Sequence, residues 1–423
     1  MRAKNILISG AGVAGPALAY WLTRYGFAPT IVERASTLRA GGQAVDFRGA
    51  AHLFVLEQMD LLDEIRRNES RGGPVSFVND RGEPLATMAE EMASGDVEIL
   101  RGDLGRILFD ATERSTEYIF GDSISRIDQV DDAVQVRFES GTSRVFDLVI
   151  GADGLHSPVR ALAFGPESQF IRHCGYYVAI ASIGEMASDT NSGTLHSVPG
   201  RTVGIVRAGN ATRAIFYFAS PPLSYDRHDT AQQKEIVAKR FAGVGWKAEQ
   251  LLSLMRDSRD FYFDSISEIH VPTLSNGRVA LIGDAGYGGT IGGMGTGVAI
   301  VAAYVLAGEL AAARGDHTLA FARYESRVRE YAEQCQRGAR SVGSFMAPKT
   351  RLGIFLRNRM LRLAYLLPGK GMMERIAMQR ASNITFGIYP HDLIAAAPPA
   401  TTPAMQTAHR GESADAPRLR RRA

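Results

Sequence analysis

Apolar positions along the chain change their spacing several times, and each change marks an element. Residues 4–9 (KNILIS) form a short apolar run, which predicts a buried strand. Pro16–Tyr25 repeats its apolar residues at helical spacing, and "APTIVER" then predicts a second strand ending at Glu33. The three together read as a βαβ unit. Helical spacing returns over Gly49–Arg67. "VEILRGDLGRILFDAT" switches from strand to helix around Gly102 and Asp103, with Asp103 placed to cap the helix. Residues 124–150 alternate like a hairpin and close on the apolar strand Leu148–Ile150.

Between about 166 and 275 the texture differs. "YYVAIASIG", "GTLHSVPG", "RTVGIVRAG" and "TRAIFYFAS" are short runs separated by turn residues, which predicts an antiparallel sheet set between two parts of an α/β domain. Helical spacing resumes over Thr296–Arg314 and Leu319–Arg340. Residues 349–380 are amphipathic and basic, with eight Lys/Arg against one Glu. They predict a terminal helix pair packed on the core with a solvated basic face, a membrane-surface or partner role being the alternative. Beyond Pro390 the chain is rich in Pro, Ala, Thr and Ser and is expected to be disordered.

Composition narrows the class. A chain of 423 residues suits about two domains, and 45% hydrophobic with 22% charged residues is the balance of a soluble globular protein. The net charge of +3 is small and sits partly in Arg418, Arg420, Arg421 and Arg422, so nucleic acid is not an expected partner. Cys174 and Cys335 have no C-x-x-C spacing, and the nine histidines show no H-x-H or H-E-x-x-H. A disulfide framework and a metal site are therefore not expected, and a reducing cytoplasm is. The apolar start of the chain is interrupted by glycines, so a signal peptide is not expected. Nor is a transmembrane segment, since no run of about 18 apolar residues occurs.

Two glycine-rich loops carry the candidate chemistry. Gly10, Gly12 and Gly15 form G-x-G-x-x-G between the first strand and helix. Gly10 allows the tight turn, Gly12 lets a pyrophosphate approach the backbone, and Gly15 lets helix and strand pack closely. Glu33, at the end of the next strand, is placed to accept ribose hydroxyls, which favours FAD or NAD over NADP. The second loop, "GDAGYGGTIGGMGTG" at 283–297, has eight glycines in fifteen positions. Asp284 follows a strand there, and Gly295–Gly297 open a long helix whose first amides point back at the loop.

In this order, the first loop with "VER", the "GADGLHSPVR" segment at 151–160 and the "GD" loop at 283 resemble the FAD-dependent aromatic hydroxylases related to p-hydroxybenzoate hydroxylase. Within them the chain is most similar to the tetracycline-inactivating and polyketide-tailoring monooxygenases, over roughly residues 4–345. The resemblance implies an α/β protein with a Rossmann-like FAD-binding domain, an inserted mainly antiparallel β-sheet substrate domain, and C-terminal helices. The expected division is 1–165 and 276–345 for FAD, 166–275 for substrate, 346–389 for the helices and 390–423 for the tail.

The resemblance also implies site residues. Gly10, Gly12, Ala14, Gly15, Glu33 and Arg34 would serve the adenine side of FAD. Asp284 would bind the ribityl hydroxyls, and the amides of Met294, Gly295, Thr296 and Gly297 would face the pyrimidine end of the ring, where reduced flavin is negative. Arg101 of "RGDL" would contact phosphate and ribityl chain, or remain a strand-end surface arginine. Gln43 and Asp46 would lie near the flavin, or only stabilise their loop. Asp153 would serve FAD and nicotinamide, or cap the following helix.

The implied activity is a monooxygenase: NAD(P)H, a transient co-substrate, reduces FAD, and O₂ then forms a flavin C4a-hydroperoxide that hydroxylates an aromatic or polyketide-like small molecule. The chain departs from the family at the second loop, where relatives have G-D-A-A-H and proline. Here Gly288, Gly289 and Thr290 stand without proline, and a looser loop is expected. That departure favours an alternative, a redox-neutral cyclase or isomerase holding FAD structurally. A halogenase is disfavoured because Trp21 and Trp246 are isolated. For substrate, Arg213 and Tyr217 share one face of "TRAIFYFAS" with Ile215, while Ala214, Phe216 and Phe218 share the other; either face could meet it.

Overall fold

The structure is a computed structural model. It describes residues 4–38, 41–70, 72–90, 95–184, 193–208, 211–289, 294–336 and 339–366, with 384, 387 and 389. The expected tail at 390–423, most of the stretch beyond 366, and Thr290 lie outside the described residues.

The N-terminal βαβ unit forms as expected: strand Asn5–Ser9, helix Ala14–Arg24 and strand Ala28–Glu33. It nucleates a six-stranded sheet in the order 275–276, 279–281, 148–151, 5–9, 28–33, 117–120. Every neighbouring pair is parallel except 275–276 with 279–281. Such strands are buried on both faces, which explains why "KNILIS" and "LVIG" read as unbroken apolar runs. Ile6, Ile8, Leu148 and Ile150 point into one core, while Leu7, Val149 and Val279 point into another. Helices Ala14–Arg24 and Gly295–Ala312 cover the first face. A three-stranded antiparallel sheet (124–130, 133–138, 143–146) and helix Pro158–Ala163 cover the second.

Helix Gly295–Ala312 is apolar all round because fifteen of its eighteen residues are buried. Among the described residues it is the one helix long and apolar enough to cross a membrane, and it sits instead in the protein core. The helical pattern at 49–67 is two helices, Gly49–Gln58 and Leu62–Arg67, separated at Asp60, whose φ is 57°. Asp103 is not the cap expected for its helix. The helix starts at Arg101 after Leu100, and Asp103 lies in the first turn.

The second sheet has seven strands in the order 261–269, 171–182, 211–219, 201–208, 193–198, 75–78, 84–88. Its last two strands belong to the segment expected to serve only the first domain. Val75–Val78 pairs in parallel with Gly193–Val198, so the sheet is mainly antiparallel but not simply an insertion. Two helices not anticipated from the alternating runs, Thr230–Phe241 and Ala248–Asp257, pack on one face. The amphipathic stretch after 349 begins as helix Arg351–Leu366. Arg357 fixes it to the edge of this sheet, with its guanidinium 3.7 Å from the centre of the Phe77 ring and hydrogen bonds to Phe345 O, Met346 O and Ser197 Oγ.

Candidate functional site

The first glycine loop obeys steric rules. Gly10 has φ of +107°, and a Cβ there would lie 2.6 Å from Ala152 O. A Cβ on Gly15 would drive into Gly10 O. Gly12 is different: only Arg101 Nη2 comes within 4 Å of its Cβ position, at 3.8 Å. Open space above an exposed backbone, at a helix N-terminus, suits an anionic phosphate. Ala14 opens that helix and approaches Gly283 of the second loop, where a Cβ would be 3.2 Å from Ala14 Cβ. Glu33 closes the loop, accepting the amides of Ala11 at 2.8 Å and Ala35 at 2.9 Å.

Arg101 stands between the loops. Its amide donates to Gln43 O at 3.0 Å, and its side chain runs beside Gly42. The guanidinium makes no hydrogen bond or ion pair among the described residues, although it faces Gly12 and influences Asp284 electrostatically. The Asp284 carboxylate is likewise without a hydrogen bond or ion pair among them. Burial raises its pKa above the usual carboxylate value, Arg101 pulls it back and Asp264 adds to the rise. A Cβ on Gly295 would be 3.6 Å from Asp284 Oδ1. The helix at Gly295–Gly297 has no side-chain cap, so its first amides are donors for a ligand. Gly297 is required because a Cβ there would strike the His52 ring. His52 is fully buried, accepts the Arg48 amide at Nδ1 and meets Tyr331 Oη through Nε2 at 2.7 Å. Burial depresses its pKa to about 3, so it is neutral.

The arrangement can therefore hold an anionic diphosphate at Gly12 and Arg101, a polyol at Asp284, and an electron-rich ring edge at Gly295–Gly297. Those demands are the ones a flavin dinucleotide makes, and the two opposite charges left unpartnered among the described residues are the observation that fits it.

The other sequence candidates have partners within the protein. Arg34 reaches out to Glu139 at 3.7 Å, in the turn between strands 133–138 and 143–146. Asp46 is buried and bonded to Arg48 Nε at 2.7 Å, with burial lifting its pKa to about 6 against the pull of that arginine. Asp153 accepts from Ser9 Oγ, Ser157 Oγ and the Val159 amide, and the cap of helix Pro158–Ala163 is Ser157, not Asp153. Gly288 and Gly289 are tied down rather than loose: Gly288 O accepts from Ile269 N and Gln336 Nε2, and Gly289 bridges Glu268.

The two faces of strand Ala211–Ala219 have separate fates. Ala214, Phe216 and Phe218 pack beneath the two unanticipated helices. Tyr217 and Ile215 lie on the other face with Tyr176, Val178, Ile180, Tyr262 and Ile266. Tyr262, which the sequence reading missed, feels the charges of Arg101 and Asp284, so this face looks toward the glycine loops. Burial raises both phenols, Tyr217 to about 12 and Tyr262 further, so both stay protonated. Arg213 is buried and paired with Asp260 at 3.3 Å, and Asp260 also accepts from Ser182.

Also missed was a charged cluster in the "GADGLHSPVR" segment. His156 bridges Glu167 at 2.9 Å and Asp264 at 3.2 Å, and buried Arg160 donates to Ala285 O. The motif itself was the available signal; the partners are too far along the chain to be inferred.

A family model described as FAD binding domain matches residues 3–339. An uncharacterized protein of Mycobacterium tuberculosis is 44% identical over 342 residues, covering 79% of this chain and 92% of that protein. A flavin-dependent monooxygenase of Legionella longbeachae is 37% identical over 340 residues, 79% of this chain and 87% of its own. Among solved structures, the tetracycline destructase Tet(55) superposes with a TM-score of 0.77 at 35% identity, covering 92% of this chain and 99% of that one.

Proposed function

The chain belongs to the FAD-binding family that includes the flavin-dependent monooxygenases, and from that premise we propose that it hydroxylates an aromatic or polyketide-like small molecule with NAD(P)H and O₂. The observation that carries this reading furthest is a pair of opposite charges with no hydrogen bond or ion pair among the described residues, Arg101 beside Gly12 and Asp284 beside Gly295.

When bound, FAD would supply the redox chemistry by which two electrons of NAD(P)H reduce O₂, one oxygen atom entering the substrate and the other ending as water. The chain's own residues bind and orient. Gly10–Gly15 and Arg101 hold the diphosphate, with Glu33 on the adenosine ribose. Asp284 accepts from the ribityl hydroxyls, and the Gly295–Gly297 amides neutralise charge at the ring edge. Tyr217 and Tyr262 remain neutral O–H donors for a carbonyl or phenol of the substrate, on an apolar face formed with Ile180 and Ile215. Arg213 sets the end of that face through Asp260.

The test is NAD(P)H oxidation by FAD-loaded protein under air, with and without a panel of phenols and polyketides. Ligand-stimulated oxidation matched by a product one oxygen heavier is expected. Conversion of a panel compound with no nucleotide consumed would replace the monooxygenase with a redox-neutral cyclase or isomerase.

A further inference from the structure

Helix Arg351–Leu366 turns one face into the protein through Arg357, Asn358 and Leu361, all buried. The opposite face is apolar and open. Leu352, Phe355, Leu356, Met360 and Leu363 are 44–65% exposed, and they are five of the nine large hydrophobic residues exposed among the described residues. Their spacing of three and four residues lines them along one stripe. Concentration on a single helix is not the scatter expected of an ordinary surface. The helix has four arginines and no acidic residue. Arg351 and Arg359 are exposed and have no ion pair among the described residues, Arg362 bonds Leu85 O, and Lys349 flanks the start over the Tyr176 ring.

We infer that this face docks on an anionic lipid surface, with the stripe entering the interface and the arginines on the headgroups. Charge decides between occupants. A second copy would set arginines against arginines. The chain's own residues 367–423 carry eight Lys/Arg against four Asp/Glu, so they too offer the wrong sign. An anionic bilayer supplies apolar depth and negative charge together, as an amphipathic helix lying in the interface requires. The same contact brings the edge of the second sheet to the lipid, because Arg357 and Arg362 hold the helix on strands 75–78, 84–88 and 193–198. The inference does not depend on the proposed reaction.

The test uses the full FAD-loaded chain and sedimentation with phosphatidylcholine vesicles, with and without about a quarter of phosphatidylglycerol. Binding is expected only to the anionic vesicles and is expected to fall steeply in high salt. R351Q/R359Q should weaken it about thirtyfold, since each arginine near such a surface contributes about fivefold. F355D/L356D should abolish it while FAD content is unchanged. No sedimentation with either vesicle overturns the inference. A bimane label at M360C, in a C174S background, identifies any other occupant. Emission shifted to the blue without vesicles assigns the face to residues 367–423 if independent of protein concentration, or to a second copy if dependent on it. Either result overturns lipid docking.

Discussion

The two glycine loops are built on different physics. In the first, Gly10 and Gly15 are required by backbone: a side chain at either would meet Ala152 O or Gly10 O. In the second, Gly288 too would meet backbone, at Asp284 O 2.7 Å away, but the crowding at Gly297 comes from the ring of His52, and at Gly295 nothing is closer than the Asp284 carboxylate at 3.6 Å. The first loop is a closed steric solution, finished when Glu33 accepts the Ala11 amide. The second holds a buried acid without a described partner, a helix start without a side-chain cap, and glycines pinned from outside. The first loop leaves Gly12 alone open for a ligand, whereas the second leaves both an acid and a helix start.

The harshest way to break that contrast is at the first loop. Gly15→Ala should lose both stable folding and FAD, because the obstacle is a backbone carbonyl that cannot swing aside. Gly12→Ala has free space around its Cβ and should keep the apoprotein's unfolding midpoint, while FAD binds at least about tenfold more weakly because the backbone can no longer be approached. Denaturant unfolding and flavin fluorescence titration check the pair. Equal loss of folding in both would contradict the division between steric and ligand-serving glycines.

The same division explains what was legible in the sequence. A steric solution repeats at fixed spacing, so Gly10, Gly12, Gly15 and Glu33 could be placed from local pattern alone. The second loop needed the family resemblance to make Asp284 meaningful. Its support was invisible because it comes from far along the chain: His52 and Tyr331 are separated by 279 residues. A lone histidine inside an apolar helix carries no spacing signal. Long separation also hid the parallel pairing of 75–78 with 193–198, and hence the true width of the second sheet. Asp46 was expected beside the flavin or as a support of its own loop, and its pairing with Arg48, two residues away, is a local contact that no spacing rule announces.

Arg101 and Asp284 sharpen the comparison at intermediate size. Arg101→Gln removes a charge that makes no hydrogen bond or ion pair among the described residues and acts on Asp284 only through space, so folding should change little and FAD affinity should fall about 10- to 100-fold. Asp284→Asn should separate stability from binding in opposite directions. Burial raises the Asp284 pKa, so ionising that carboxyl costs the apoprotein, and the amide removes that cost. The variant should unfold at higher denaturant than the parent yet hold FAD more weakly. If it bound FAD as tightly as the parent, Asp284 would not be the ribityl acceptor.

A last effect, read in pH and not in binding, concerns the segment that joins the loops. Ala152 is the wall that Gly10 meets, Asp153 accepts from Ser9 at the end of the first strand, and Arg160 donates to Ala285 O in the second loop. Between these sits His156, faced by Glu167 and Asp264, with Arg160 and Arg227 bonded to the same Glu167 and Tyr225 near Asp264. Burial alone would lower the imidazole pKa, but the hydrogen bonds to Asp264 and Glu167 prevail and raise it to about 9. A raised histidine pKa stabilises the native state fully below the unfolded value near 6.5, and that stability drains away as pH climbs through about 9. The parent should therefore lose about 3 kcal/mol from this group between those pH values. His156→Gln should be less stable than the parent at pH 6 and nearly equal to it above pH 9, because it has no proton to lose. Unfolding midpoints across that range measure the difference. A parallel loss in both proteins would move the alkaline sensitivity elsewhere and leave the two loops joined by Arg160 and Asp153 alone.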